Sequence, residues 1–309
     1  MIKKYNIAII GSGKMAVNHA NVFSSFKNVN LDLVFSRTIE NAKKFAKKFN
    51  IENYIDNLDE IKKYKLDGII ICVDVNSMFF VTRKIIPLKI PMLIEKPIAL
   101  NFPQAEILSN LYKKYKTPNL IALNRRYYSI FHKVIKFVKI RDYKGFLIEG
   151  HEHILRLTKI NKKTLDNWIF ANSIHTINLI TFFGMEKKFK SQVNTLNDKN
   201  DKNISSIFNF ENKILGTYIA NWFSSDRWSI KLFLKDFVIH IKPLEEVILL
   251  NKKNKKKKIF SSKEDKIFKP GLYKQSLSFL NLIKTKKNMW PDENLSSIIR
   301  TYKIINKLK

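Results

Sequence analysis

The stretch Ile7–Ala20, IAIIGSGKMAVNHA, decides the fold of this chain. Four apolar residues lead into Gly11, Gly13 and Ala16, which have the spacing G-x-G-x-x-G/A, and residues at helical spacing follow. Between a strand and a helix, the first glycine permits a tight turn, the second lets a ligand approach the backbone, and the alanine allows close packing. The N-terminus of the helix offers free N–H groups to phosphates. We therefore predict a dinucleotide-binding turn; the alternative is an ordinary turn between a strand and a helix.

Short apolar runs alternate with helical periods over the first 123 residues. The predicted strands are Ile7–Ile10, Leu31–Phe35, Gly68–Val73, Ile90–Ile94 and Asn119–Leu123. Strands that alternate with helices predict a parallel sheet with crossover helices on both faces. The apolar run GIIICV is typical of a strand that is buried on both sides. Residues 1–123 are therefore predicted to form a Rossmann dinucleotide-binding domain.

The pattern changes after residue 124, where most runs are strand-like. The predicted helices are Ser129–Lys139, Ile174–Phe183, Leu272–Lys284 and Asn294–Leu308. The predicted strands are Gly145–Leu157, Lys188–Thr195, Asn203–Phe210, Ile214–Phe223, Ser229–Leu234, Phe237–Ile241 and Val247–Leu250. We predict a second, α+β domain over residues 124–309 with an open, mostly antiparallel sheet. Packing of the C-terminal helices back on the first domain is left open.

Length and composition limit the class of protein. The chain has 309 residues, of which 45% are hydrophobic, enough for a sizeable core in one or two domains. No run approaches the roughly 18 apolar residues of a membrane span, and the N-terminal apolar run is shorter than that of a secretory signal. Cys72 is the only cysteine, which excludes an internal disulfide. We expect a cytoplasmic protein without a membrane partner.

The net charge of +31 comes mainly from lysine, because only eight arginines occur. Arginine is the residue that phosphate and base recognition usually favours. Asn, Ile, Phe and Tyr are abundant too, and they share AT-rich codons with lysine. We interpret the charge as compositional and expect no nucleic-acid partner; a basic surface for anionic small substrates is the alternative. The run NKKNKKKK, Asn251–Lys258, is predicted to be a solvated hairpin loop, with a polyanion site as its alternative.

The second predicted strand ends in LVFSRT, with Ser36 and Arg37 at the place where a free ribose 2′-hydroxyl usually meets an acidic residue. A hydroxyl and a guanidinium suit a 2′-phosphate better. We therefore predict NADP as the cofactor, with NAD as the alternative. In that case Ser36 or Thr38 would only cap the next helix.

Three further segments resemble the glucose–fructose oxidoreductase/inositol dehydrogenase family, also called Gfo/Idh/MocA. They are MLIEKPIAL (Met92–Leu100), LNRRYY (Leu123–Tyr128) and NSIHTINLITFFG (Asn172–Gly184). With the glycine turn, the resemblance covers nearly the whole chain. It implies a Rossmann domain and an α/β domain whose open sheet packs against a partner subunit, and hence a homo-oligomer, a dimer or tetramer. It also implies hydride transfer between a nicotinamide and a sugar-like alcohol or carbonyl.

The resemblance assigns roles to individual residues. Lys96 matches the catalytic lysine, which would polarise the reacting oxygen, and His175 matches the histidine that exchanges a proton. The expected cofactor contacts are Gly11, Gly13, Lys14, Met15, Ser36, Arg37, Val73, Asn76, Glu95 and Lys96. The expected substrate contacts are Lys96, Arg125, Asn172, His175 and Tyr273. The alternatives are that Lys96 is one more solvated lysine and that His175 only packs its helix.

Two positions depart from the family pattern. Many members carry aspartate where this chain has Ala171 and Asn178, so a carboxylate beside His175 is missing. Asn172 is expected to replace that carboxylate as a polar neighbour of His175. The expected activity is an NAD(P)-dependent oxidoreductase acting on a sugar-like substrate, with an anionic or nucleotide-linked one left open. The alternative is a dinucleotide-binding regulator or scaffold that has lost turnover.

Other candidate residues are weaker. In NWFSSDRW, Trp222 and Trp228 suit stacking on a sugar, and Arg227 suits an anion, with burial at a subunit interface as the alternative. His151 and His153 share one face of a predicted strand, but no third ligand is evident, so we expect no metal.

Overall fold

The computed structural model describes residues 4–139, 141–154, 157–158, 160–186, 188–198, 201–253 and 256–309. The chain divides into two compact units. The first unit consists of Met1–Asn124 with Ile267–Ile299, and the second of Arg125–Lys266 with Arg300–Lys309. Among the described residues, none of the helices has both the length and the apolar character that a bilayer span requires.

The first unit contains a six-stranded parallel sheet in the order β3-β2-β1-β4-β5-β6. Its strands are β1 Tyr5–Ile10, β2 Val29–Phe35, β3 Asn53–Ile55, β4 Gly68–Ile71, β5 Met92–Glu95 and β6 Asn119–Ala122. This order is that of a doubly wound Rossmann sheet, so the predicted fold class is confirmed. The strand predicted over Ile90–Ile94 begins only after Pro91, which has no N–H to give to the ladder.

Ten α-helices are assigned within the described residues. They are α1 Lys14–Phe23, α2 Ile39–Phe49, α3 Met78–Ile85, α4 Phe102–Tyr115, α5 Ser129–Lys139, α6 Lys162–Asp166, α7 Ile174–Gly184, α8 Lys263–Ile267, α9 Leu272–Thr285 and α10 Ile299–Leu308. The predicted helix Asn294–Leu308 starts five residues late, at Ile299. The reason is that the Asn294 side chain accepts the N–H groups of Ser296 and Ser297 and so stabilises a separate turn.

The core of the first unit lies between the sheet and its helices. Strands β4, β5 and β6 are buried along their whole length, as GIIICV indicated. Helix α9 covers one face: a Cβ on Gly68 would lie 2.7 Å from Cδ1 of Ile283 and 3.0 Å from Cζ of Phe279. The ring of Phe279 also meets that of Phe23 on α1 edge to face, 6.1 Å between centroids.

The second unit contains an eight-stranded sheet in the order β14-β13-β12-β11-β7-β10-β9-β8. Its strands are β7 Tyr143–Glu149, β8 Phe189–Asp198, β9 Asp201–Phe210, β10 Leu215–Asn221, β11 Ser229–Leu234, β12 Phe237–Ile241, β13 Val247–Asn251 and β14 Lys256–Ile259. Only β7 and β10 pair in parallel, so the prediction of a mostly antiparallel sheet is confirmed.

Two sequence predictions in the second unit need correction. The strand predicted over Gly145–Leu157 ends at Glu149, the last residue of β7 that pairs with β11. Beyond it, the N–H groups of Gly150, Glu152 and Ile154 still donate to carbonyls of residues 219–222. Leu155 and Arg156 lie outside the described residues. The loop predicted over Asn251–Lys258 is shorter, because β14 begins at Lys256. Asn254 and Lys255 of that loop also lie outside the described residues. Lysines on an edge strand discourage pairing with another sheet.

One face of the second sheet packs on helices, and the other carries exposed apolar side chains. On the covered face, the ring of Phe146 in β7 lies 6.4 Å from that of Phe183 in α7. The opposite face carries large apolar side chains with substantial exposure, among them Leu196, Ile207, Leu215 and Phe233, the first of them 75% exposed. We call this second surface the outer face.

Candidate functional site

The turn after β1 has the geometry that its first glycine permits. Gly11 has a φ of +117°, and a Cβ at this position would lie 2.5 Å from the carbonyl oxygen of Cys72. Its N–H donates to the carbonyl of Phe35, 2.8 Å away, so the turn lies against the ends of both neighbouring strands. Only glycine combines this φ with this closeness to backbone.

Gly13 stands immediately before α1 for a different reason. A Cβ here would have no neighbouring atom within 4 Å, so the missing side chain leaves open space. The first turn of α1 has no side-chain cap and no acidic residue, which leaves its N–H groups available. Open space over an uncapped helix N-terminus fits a pyrophosphate, which needs close approach to the backbone and donors pointing at it.

A cavity of about 980 Å³ opens at this turn. The predicted cofactor residues Gly11, Gly13, Lys14, Met15, Ser36, Arg37 and Val73 line it. The other lining residues are Ser12, Phe35, Thr38, Asn41, Cys72, Asp74, Ser77, Phe80 and Val81. Asn76, Glu95 and Lys96 are not among its lining residues. A cavity of this volume has room for a dinucleotide.

The end of β2 presents polar groups to the cavity. The hydroxyl oxygens of Ser12 and Ser36 lie 2.9 Å apart. Thr38 occupies the position before α2, but its hydroxyl accepts from the side chain of Asn41, 2.6 Å away, rather than capping the helix backbone. The only carboxylate among the lining residues belongs to Asp74. It accepts from both the backbone and the side-chain N–H groups of Asn76, so these two residues form their own turn.

Glu95 has a buried partner. One of its carboxylate oxygens lies 2.8 Å from Nε2 of His19, which is fully buried on α1. The other oxygen accepts the backbone N–H of Lys96, 3.2 Å away. Glu95 therefore ties α1 to the chain that carries Lys96, and the structure gives it this anchoring role rather than a place in the cavity lining.

The second unit has its own polar cavity of about 290 Å³. It is lined by Arg125, His151, Glu152, Asn172, Arg227, Trp228, Pro243, Leu244 and Glu245. The guanidinium carbon of Arg125 lies 4.5 Å from the ring centroid of Trp228, a distance that permits a cation–π contact. Burial lowers the pKa of Arg125, and the carboxylates of Glu245 and Glu152 oppose the fall. We call this space the second cavity.

The predicted substrate residues fall in both units. Arg125 and Asn172 line the second cavity, and the ring of His175 lies 6.2 Å from that of Trp228. Lys96 and Tyr273 belong to the first unit. The Tyr273 ring packs there between two phenylalanines of its own unit, Phe26 and Phe268, with centroids 5.2 and 5.9 Å away.

Glu152 was not singled out by the sequence, although it is the most buried carboxylate of the second cavity. Both of its oxygens accept from Nδ2 of Asn172, at 3.1 and 3.0 Å, and one accepts from the hydroxyl of Ser173 at 2.8 Å. Burial raises the pKa of Glu152, while these hydrogen bonds and the charge of Arg125 oppose the rise. Its partners lie 20 and 21 positions further along the chain, so no local pattern announces the contact.

Neither departure from the family pattern places a carboxylate beside His175. Ala171 is buried, and Asn178 has a structural role. The amide oxygen of Asn178 accepts from Arg126 at 3.0 Å, and its amide nitrogen donates to the hydroxyl of Thr301 at 2.9 Å. Asn178 therefore connects α7 to the segment before α5 and to α10.

His151 and His153 lie just beyond the end of β7. Nδ1 of His151 accepts the backbone N–H of Asn221, 3.1 Å away. No group of three His, Cys, Asp or Glu side chains suitable for a metal ion occurs among the described residues.

Comparison with known proteins agrees with this fold. Residues 5–121 match the family model GFO_IDH_MocA, described as an oxidoreductase family with an NAD-binding Rossmann fold. Glucose-6-phosphate 3-dehydrogenase from Bacillus subtilis (strain 168) is 24% identical over 212 residues, which cover 62% of this chain and 60% of that protein. The match thus spans less than two thirds of this relative.

Solved structures extend the likeness of fold to nearly the whole chain. A dehydrogenase from Chromobacterium violaceum has a TM-score of 0.86 and 13% identity, over 99% of this chain and 94% of that one. UDP-N-acetylglucosamine 3-dehydrogenase from Acidithiobacillus ferrooxidans has a TM-score of 0.79 and 16% identity, over 99% and 96%. In its glycine turn, its Rossmann sheet and the family match over residues 5–121, the N-terminal part of the chain is similar to the Gfo/Idh/MocA family of oxidoreductases.

Proposed function

We propose that this protein is an NAD(P)-dependent oxidoreductase that transfers a hydride between a nicotinamide and a sugar-like alcohol or carbonyl. The observation that carries the proposal is the cavity of about 980 Å³ at the glycine turn, with open space at Gly13 beside an uncapped helix. The polar second cavity with its tryptophan supports the substrate half of the proposal. The 24% identical relative is named as a sugar phosphate dehydrogenase.

Each residue of the proposed site would have a separate role in hydride transfer. A nicotinamide bound in the first unit supplies the hydride acceptor or donor. The Lys96 ammonium would hydrogen-bond the reacting oxygen and stabilise the negative charge that develops on it. His175, in the first turn of α7, would accept the proton of the alcohol or return it to the carbonyl. The anchored Glu95 would limit the freedom of the backbone that carries Lys96.

We further propose NADP rather than NAD as the preferred cofactor. Ser36, Arg37, Thr38 and Asn41 all line the cavity at the end of β2, and no acidic side chain stands there to accept from a ribose 2′-hydroxyl. Three side chains with donor groups and one guanidinium suit a 2′-phosphate.

The proposed substrate is a hydroxylated ring. The proposal includes rings that carry an anionic group or a linked nucleotide. Trp228 offers an apolar face for a ring, and Asn172 and Arg125 offer an acceptor and donors for hydroxyl groups. Arg227, exposed at the edge of the same cavity, is available to an anionic substituent.

Turnover and cofactor binding test this proposal together. The full chain is incubated with NADP⁺ or NAD⁺ and either glucose 6-phosphate or UDP-N-acetylglucosamine, and the reduced nicotinamide is followed by its absorbance. We expect calorimetry to show binding of at least one cofactor and turnover with at least one of the pairs. Absence of binding of both cofactors would contradict the proposal.

A binding protein of the same fold is the second candidate. Ala171 supplies no carboxylate, and Asn178 is committed to Arg126 and Thr301. Tight cofactor binding without turnover, on these two substrates and on a wider range of sugars and cyclitols, would favour this candidate.

We also propose that the protein forms a homo-oligomer through the outer face of the second sheet. Exposed Leu196, Ile207, Leu215 and Phe233 form an apolar surface of the kind that a second copy can cover. Ile207→Lys should lower the mass measured by light scattering to that of a monomer. Phe260→Lys is the matched control, because Phe260 is 67% exposed but lies outside the sheet. A wild-type monomer would contradict the proposal.

A further inference from the structure

Glu152 is a buried carboxylate in the lining of the second cavity. It follows β7, its side chain is 7% exposed, and its backbone N–H donates to the carbonyl of Asn221 at the end of β10. Two strands of the sheet therefore define where the carboxylate lies. A buried carboxylate is costly unless hydrogen bonds and nearby charges compensate it.

The compensation comes from the segment that leads into α7. Asn172 and Ser173 end a π-helical turn, Ile169–Ser173, and α7 begins at the next residue. Their side chains make three contacts with the carboxylate of Glu152, at 2.8 to 3.1 Å. In all three the carboxylate accepts, as an ionised carboxylate does.

The π-helical turn continues directly into α7, so residues 169–184 are helical without a break. The hydroxyl of Ser173, the residue just before α7, donates to Glu152 rather than capping the helix backbone. Glu152 therefore holds the junction of the two helical segments from a different element of the fold.

We infer that Glu152 is a positioning residue, which holds Asn172 in the second cavity and fixes the start of the helix that carries His175. This inference rests on the proposed function, in which His175 exchanges the proton. Glu152 itself need not touch the substrate. Its carboxylate sets the position of the turn, and the turn sets the positions of Asn172 and His175.

The decisive variant is Glu152→Gln, which keeps the shape of the side chain but removes its charge and half of its acceptor capacity. We expect kcat to fall about 10- to 100-fold, the scale of a small misplacement of a reacting group. The KM for the cofactor should stay within about twofold, because the cofactor cavity belongs to the first unit. Glu246→Gln, the same change on an exposed residue outside the cavity, should leave both constants unchanged.

The split between the two constants separates positioning from a general loss of structure. A kcat of wild-type size in Glu152→Gln, or a loss that falls on the cofactor KM alone, would overturn the inference. Glu152→Ala removes both carboxylate oxygens and should lower kcat at least as much as Glu152→Gln. If the alanine variant fails to fold, Glu152→Gln still tests the inference.

Hydrogen exchange provides a readout that does not depend on turnover. In Glu152→Gln, amides of residues 168–178 should exchange about tenfold faster than in the wild type, with peptides of the first unit unchanged. Unchanged exchange over 168–178 would overturn the inference. A wild-type chain that binds the cofactor but shows no turnover would contradict the proposed function alone, and the exchange result then decides on Glu152.

Discussion

Gly11 and Gly13 lie in the same turn for different reasons, and replacing each by alanine should affect stability differently. In Gly11→Ala the new Cβ would meet the Cys72 carbonyl at 2.5 Å, and alanine rarely adopts a φ of +117°. We expect a loss of about 1–3 kcal/mol or more in the free energy of unfolding, measured with urea. In Gly13→Ala the methyl enters open space, so stability should stay within about 0.5 kcal/mol of the wild type.

The same pair of variants tests the site itself. Gly13→Ala should weaken binding of both NADPH and NADH, because the methyl group stands where a pyrophosphate approaches the backbone. Calorimetry on the folded variant measures this. Unaltered affinity for both cofactors in Gly13→Ala would show that the phosphates do not pass this residue.

Arg37 decides between the two cofactors. If its guanidinium holds the 2′-phosphate, Arg37→Ala should weaken NADPH binding by about 1.5–3 kcal/mol, the range for a hydrogen bond to a charged group. NADH binding should be unchanged. Lys43→Ala, on the exposed side of α2 and outside the cavity lining, is the control for the loss of one positive charge. Equal losses for both cofactors in Arg37→Ala would contradict the proposed preference.

Between elements, the buried pair of His19 and Glu95 joins α1 to the end of β5. His19→Leu leaves the carboxylate of Glu95 buried without this partner, and such a change typically costs about 3–5 kcal/mol. The double variant His19→Leu/Glu95→Gln replaces the charge by a neutral amide and should recover about 1–3 kcal/mol of that loss. Urea unfolding of the wild type and the two variants measures both quantities. A double variant less stable than His19→Leu would refute this account of the pair.

Helices and strands could be predicted from the sequence where neighbouring residues carry a clear hydrophobic pattern. Apolar runs predicted β1, β2 and β4 to β6, and helical spacing predicted α5, α7 and α9, because each pattern reflects one buried face. The three-residue strand β3 carries too little pattern, and the early end of β7 depends on its neighbours in the sheet. The site divides in the same way. The glycine turn is local, whereas Glu152 meets its partners only through the register of two strands and the turn before α7.

At the scale of the whole molecule, the proposed hydride transfer is the reason to expect Lys96 and His175 to act together. They lie 79 positions apart in the sequence, Lys96 just after β5 and His175 in α7, and belong to different units. A packing role would give each residue an independent effect on stability. In the proposed mechanism each variant would instead lose turnover, and the two losses would not add, because both residues would serve the same step.

We therefore expect Lys96→Ala and His175→Ala each to lower kcat by about 100-fold or more, the usual scale for loss of acid–base or electrostatic help. The double variant should be scarcely slower than either single variant. NADPH affinity of His175→Ala should match that of the wild type, since the cofactor cavity is lined by the first unit alone. Single-turnover measurements with saturating cofactor isolate the chemical step. Wild-type rates in either single variant would remove that residue from the mechanism and favour the binding protein over the enzyme.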